Sequence, residues 1–502
     1  MSTTDARSNG HILKALAGLL LALFVSTLSS TVVATALPQM MHALHGSPTQ
    51  YTWVVTATLL TATAATPIWG KLADLFSKKL LIQVATAIFI AGSVAAALSG
   101  NAGELIAARA LQGVGVGGLQ SLVQITLAAM IPPRERGRYA GYTSSATAIS
   151  TIGGPLLGGF IVDTSWLGWR WCFFISIPFA ILALIIVQRT VRLPATRRDN
   201  VRIDYGGATL ITGSVSLLLI WVSFVGGSFA WASWQTATMT GATLVLLACA
   251  VWTETRAAEP IVPPRIIRQR TTMLAILGSL AAGTAMYGAS VFLTQYFQTS
   301  RGRTAAQAGL LTIPMMAGIL VVSTVAGALI SRTGRLKPFL VAGTLSLAAG
   351  FGGLSLINEH TSFAFIGVAM VLVGAGVGMT VQNFVLVVQN SVPLSDIGAS
   401  SATVSFFRSM GGTIGVAVLG AVLARQVSSG IAGGAAPAAA YGTATGHIFA
   451  ISAAVALVGV LAAVLLKPVT LRGSHQLPDP VKAVTVAAGT AEAVPAADYA
   501  EP

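Results

Sequence analysis

Residues 153–159 read Gly153-Gly154-Pro155-Leu156-Leu157-Gly158-Gly159, inside an apolar stretch that runs over 139–162. In water, four glycines and a proline in seven positions would break a helix: each interior glycine costs about 1 kcal/mol against alanine, and proline about 3. In a bilayer no water competes for the backbone, and small residues let neighbouring helices approach closely. Pro155 cannot donate to the carbonyl of Thr151, so a bend is expected there. Gly154 and Gly158 lie one turn apart and clear a groove on one face, flanked by Gly153 and Gly159. The stretch reads as a pliable membrane helix packed tightly on a partner, a candidate hinge or seal.

The rest of the chain agrees. Charged residues make up only 9% of the 502 and hydrophobic ones 54%, against about a quarter charged in soluble domains. No charged side chain occurs between Lys14 and Lys71. Fourteen apolar segments are long enough to cross a bilayer, which takes about 20 residues each. They fall near 12–36, 51–70, 80–99, 104–130, 139–162, 169–189, 206–226, 236–253, 271–298, 305–331, 336–357, 361–390, 397–426 and 445–467. The first is too long for a cleavable signal peptide. The alanine- and proline-rich end, 470–502, reads as a disordered tail.

Of the 29 Lys and Arg residues, 23 lie in the termini and in the loops after the second, fourth, sixth, eighth and tenth segments. This bias places both termini in the cytoplasm. The net charge of +14 therefore records topology and contact with anionic membrane lipid, and gives no reason to invoke a nucleic acid. Cys172 and Cys249 both lie in apolar runs and build no disulfide framework, and the six histidines have no ligand spacing. No metal site, cofactor, nucleotide-binding loop or nucleophile–base constellation is visible, so the chain does not read as an enzyme.

The sequence repeats internally. Gly113, Gly115, Gly117, Pro132, Glu135 and Gly137 match Gly374, Gly376, Gly378, Pro393, Asp396 and Gly398 at a constant offset of 261. At an offset of 257, Gly70, Leu72 and Lys78 match Gly327, Leu329 and Arg335. Two six-helix halves, 12–190 and 271–467, with two helices inserted over 206–253, account for the fourteen. Parallel repeats of this kind place a substrate site near the midplane between the halves.

Several stretches resemble the fourteen-helix drug–proton antiporter branch of the major facilitator superfamily. They are the loop Gly70-Lys71-Leu72-Ala73-Asp74-Leu75-Phe76-Ser77-Lys78-Lys79, its copy from Gly327 to Arg335, and Arg109-Ala110-Leu111-Gln112-Gly113. The 153–159 segment, Trp169-Arg170-Trp171 with Pro178, and Phe406-Phe407-Arg408 with Gly411-Gly412 are similar to further signatures of that branch. The resemblance implies an all-α integral membrane protein with the major facilitator fold. It further implies an inner-membrane exporter of hydrophobic drugs or natural products, coupled to protons as antiport and working as a monomer. Arginine outnumbering lysine, with high alanine and glycine, is associated with GC-rich bacterial genomes.

On that reading Gly70, Asp74, Lys78 and Arg335 form a conformational latch, with Asp74 pairing with a basic residue or capping a helix end. Arg109, inside a span at a cost of about 2.5–3.5 kcal/mol, should face the bundle interior. With Glu104 and Asp163 at the opposite membrane edge, it is a candidate for proton coupling. Members of the branch carry an aspartate near the end of the first helix, where this chain has Ser29. No acid falls in the middle of any segment, which keeps open a uniporter or importer of small metabolites on the same fold. Substrate contacts would come from Ser29, Ser30, Gln120, Gln124, Tyr287, Gln295, Gln382, Asn383 and Arg408, each of which could instead serve helix packing.

Overall fold

Apolar residues with few charges and no aqueous competitor form helices, and helices make up the architecture. The structure, a computed structural model, describes residues 3–46, 48–131, 133–164, 166–191, 204–225, 229–257, 260–262, 264–393 and 396–468. The expected tail at 470–502 lies outside them.

The first half contains α1 (Thr3–Ala43), α2 (Pro48–Leu75), α3 (Lys78–Leu98), α4 (Ala102–Met130), α5 (Pro133–Asp163), α6 (Trp171–Phe174) and α7 (Ser176–Thr190). Next come α8 (Tyr205–Phe224), α9 (Trp234–Arg256) and the single turn α10 (Pro264–Ile267). The second half holds α11 (Arg270–Thr299), α12 (Ala305–Leu311), α13 (Ile313–Thr333), α14 (Lys337–Leu354), α15 (Phe363–Ser391), α16 (Ile397–Ala432) and α17 (Pro437–Leu465).

All fourteen apolar segments coincide with helices. Two of them are broken. The sixth starts late, because Gly168 turns the chain at φ +70°, and it steps from α6 to α7 at Ile175. The tenth restarts at α13, where Pro314 takes a first-turn position that needs no N–H donor. Among the described residues, eleven helices are long and apolar enough to cross a membrane. The helices α2, α5 and α8 are not among them. In the first two the apolar stretch is diluted by threonine, serine and glycine, and in α8 it is short, Gly206–Val222.

The two halves pack alike. In the first, α1 meets α5 and α7, α4 meets α2 and α3, and α3 meets α7; in the second, α11 meets α16 and α17, α15 meets α13 and α14, and α14 meets α17. The contacts repeat residue by residue. A methyl group on Gly117 would strike the Ala62 backbone, and one on Gly378 would come within 2.8 Å of the Ile319 carbonyl. Gly115 is pressed on Ala85 and Phe89, Gly376 on Gly343 and Leu347. Thr31 donates to the Ser150 carbonyl (3.2 Å), and Thr284 donates to the Gly411 carbonyl (2.8 Å). With no hydrophobic drive between helices in lipid, such close backbone approach supplies the dispersion contacts that hold the bundle.

The glycines of 153–159 divide by role. Gly154 rests on Thr31, and Gly158 lies on Val32 and Thr35, both against α1; Gly159 faces open space and Gly153 nearly so. Gly415, the counterpart of Gly154, rests on Thr284 in the same way. Pro155 lies within α5, but its side chain is outside those described. Replacing Gly154 by Ala should lower the stability of the detergent-purified protein by about 1–3 kcal/mol. Gly159→Ala should stay within about 0.5 kcal/mol. Thermal unfolding of the two variants checks the assignment.

Candidate functional site

The halves touch through two equivalent helix pairs, α2 with α16 and α5 with α13. At the α2–α16 crossing, a methyl on Gly70 would collide with Ala402 and come within 2.9 Å of the Gly398 carbonyl, while one on Gly398 would come within 2.6 Å of the Gly70 carbonyl. The two glycines permit an approach that any side chain would prevent. One turn beyond Gly70, the Asp74 carboxylate accepts hydrogen bonds from the backbone N–H groups of Gly398 (2.8 Å) and Ala399 (2.7 Å). These are orphan donors of the first turn of α16, and a carboxylate there also meets the positive end of the helix dipole.

The cap that α16 would ordinarily supply is engaged elsewhere. Asp396 occupies the N-cap position but makes no side-chain cap bond. Its carboxylate pairs with Arg265 of α10 at 2.9 Å. Asp74, from the other half of the molecule, caps α16 in its place. Of the two readings open for Asp74, a basic partner or a helix end, the contact is with a helix end, and Arg335 is exposed on the loop after α13, apart from it. Lys78 and Lys71 are the cations near Asp74. At the offset of 257, the position equivalent to Asp74 is Ser331, so the two inter-half contacts differ in chemistry.

A second constellation is buried in the first half. Arg109 is 3% exposed and Gln112 fully buried. The guanidinium donates from Nη1 to Gln112 Oε1 and from Nε to the Val54 carbonyl (3.5 Å). The Gln112 amide then donates to Ser29 Oγ (3.0 Å) and Ser93 Oγ (2.7 Å). Thus α1, α2, α3 and α4 are tied by one neutral chain of bonds around one positive charge. Ser29 belongs to this network, the helix-packing alternative open to it from the sequence. Among the described residues no carboxylate pairs with Arg109. Gln112 stood in the quoted helix signature, three residues from Arg109; Ser93 gave no signal beyond its neighbour Gly92, which is pressed on the Gln112 backbone.

The other expected residues separate. Glu104 is exposed and closes the start of α4, accepting from the Gly100 N–H (2.7 Å) and from Asn101 Nδ2 (2.8 Å). It does not meet Arg109, and the Asp163 side chain is outside those described. Ser30 bonds back to the Ser26 carbonyl (3.3 Å), Gln295 reaches Tyr441 across to α17 (3.5 Å), and Gln120 is half-buried on α4. Gln124, Gln382 and Asn383 do come together. They line a small cleft of about 50 Å³ between α4, α5 and α15, with Tyr139, Thr143 and Gln389. It sits toward the same end of the bundle as Asp74. Tyr287 and Arg408 lie apart from it, at the packing of α11 on α16, where the Tyr287 ring rests on Gly412.

Burial raises the Asp74 carboxyl from 3.8 to about 7, against the two backbone hydrogen bonds and the nearby lysines, which lower it. The docked state therefore holds a proton more tightly than a carboxyl in water. Docking is favoured most below about pH 4, weakens as pH rises to about 7, and levels off above. Hydrogen exchange at the Gly398 and Ala399 amides should accelerate over that window in the wild type. It should be independent of pH, after correction for intrinsic exchange, in Asp74→Asn, and fast throughout in Asp74→Ala.

Residues 19–416 match the Major Facilitator Superfamily. The multidrug transporter protein MdtP of Bacillus subtilis is 33% identical over 408 residues, which cover 81% of this chain and 74% of that one. The efflux pump dotC of Dothistroma septosporum is 33% identical over 414 residues, covering 81% and 70%. The solved structure of the proton:xylose symporter XylE superposes with a TM-score of 0.64 over 92% of this chain and 98% of that one. At 16% identity this last likeness speaks to the fold alone. Sequence match, helical repeat and inter-half contact agree: the chain belongs to the major facilitator superfamily and is a multi-pass membrane transporter.

Proposed function

We propose that this transporter is a secondary active exporter of hydrophobic drugs or natural products, working by alternating access in the inner membrane of a bacterium. On a reading of fourteen spans the even count puts both termini on one side, and the Lys and Arg bias makes that side the cytoplasm, so the end of the bundle that carries Asp74 is read as the cytoplasmic one. The observation that carries the reading is the capping of α16 by Asp74. It joins the two halves through two hydrogen bonds and a glycine crossing at one end only. A contact of that strength, on the order of 1–2 kcal/mol by analogy with helix caps, can bias an equilibrium without freezing it. The names of the relatives, a multidrug transporter and an efflux pump, support the direction of transport.

The proton gradient is the proposed driving force. Arg109 is the buried charge through which coupling would act, positioned by Gln112 within a network that touches four helices. One observation favours the alternative of a uniporter or importer of small metabolites: Ser29 stands in the network where an acid would complete an ion pair. Reconstitution in liposomes separates the two. With a pH gradient imposed, neutral hydrophobic dyes should accumulate against their own gradient. Equilibration independent of the pH gradient would overturn antiport and leave uniport. Arg109→Ala should abolish gradient-driven accumulation while the protein stays folded by thermal unfolding; retained accumulation would make Arg109 structural.

A further inference from the structure

The interior of this transporter is electrostatically one-sided. None of the 15 Asp and Glu residues falls in the middle of an apolar segment, whereas Arg109 and Arg408 both lie inside one. A buried cation with no counter-charge is costly, and it persists where something compensates it. The two arginines differ in how far that need is met. Arg109 is bonded to Gln112 and to a backbone carbonyl. Arg408 is 8% exposed, and its Nη1 is buried with no hydrogen-bond partner.

The surroundings of Arg408 are built to keep the helices close and the guanidinium unpaired. Its backbone carbonyl is pressed on Gly283 of α11. One turn along α16, Gly412 lies against the Tyr287 ring, at 2.9 Å from Cε2 for an added methyl. No carboxylate among the described residues pairs with Arg408. A guanidinium presents a planar fork of donors that a carboxylate satisfies with two parallel bonds.

We propose that Arg408, with Tyr287 beside it, recognises a carboxylate, and that the transported compounds are amphipathic organic acids. The carboxylate supplies the missing counter-charge, and the apolar remainder lies among the uncharged helices. This rests on the export reading only for the claim that the acid is cargo; binding at Arg408 stands apart from it.

The test uses one fluorescent hydrophobic scaffold carrying a carboxylate, a neutral amide or a tertiary amine. Binding of each to the full-length purified protein is followed by anisotropy. The carboxylate should bind about tenfold or more tightly than the amide, as a charge-assisted hydrogen-bonded pair requires, and the amine should bind most weakly. Arg408→Met should bring the carboxylate down to the amide's affinity and leave the amide unchanged. Arg408→Lys should retain part of the preference, and together with the wild-type ranking it decides the matter if Arg408→Met does not fold. Equal binding of the three probes, tightest binding of the amine, or a carboxylate preference that survives Arg408→Met would overturn the proposal. Carboxylate binding without gradient-driven movement would overturn export while supporting the acid site. Pumping of the amide and amine without preference for the carboxylate would do the reverse.

Discussion

A carboxylate from one half of the molecule caps a helix of the other at one of the two crossings where the halves meet. The first-turn amides of α16 need an acceptor, and the residue positioned to provide it, Asp396, is turned to Arg265 instead. Asp74 fills the place at 2.7–2.8 Å. Charge, dipole and hydrogen bonding act in one direction there, and burial of the charge acts in the other. The balance leaves a joint that responds to protonation at near-neutral pH.

Within each half the opposite principle operates. Glycines of α4, α5, α15 and α16 bring backbones into contact with α1, α2, α3, α11, α13 and α14, so that the packed faces have no room to slide. Rigid halves and a weak polar joint are the mechanical requirement for alternating access. The inserted helices complicate the picture in one place. The helix α8 packs on α2 and α16, the two helices that Asp74 joins, and contributes Ile211, Val215 and Leu219 to a common apolar cluster. Movement at the joint must therefore displace α8 against at least one of them.

Much of the fold was legible because its signals are one-dimensional. Apolar length marked all fourteen helical segments, and glycine register marked the repeat; the predicted offsets of 257 and 261 reappear in space, with Gly117 on Ala62 and Gly378 on Ile319. Asp74 was legible as one side of a contact, with a helix end among its possible partners, but which helix end was not. Backbone N–H groups have no side-chain signature, and Gly398 lies 324 residues away. Arg335, named from the repeat, lies apart from that contact, because a repeat copies a residue's address and not its neighbour. Ser29 had two readings, since a hydroxyl inside an apolar helix can face a cavity or another helix; the position of Gln112 gives it a helix partner. The isolation of Arg408 was invisible in the sequence, since it consists of what the surrounding helices fail to present.

The central claim is that the Asp74 contact opens and closes as the halves rock. The most direct test is the distance between spin labels at Leu80 on α3 and Arg335 beside α13, both exposed and both on the Asp74 end of the bundle. In the reconstituted protein the account predicts two populations, with the shorter distance depleted by Asp74→Ala and enriched at low pH. A single distance distribution, unchanged by that substitution and by pH, would contradict it.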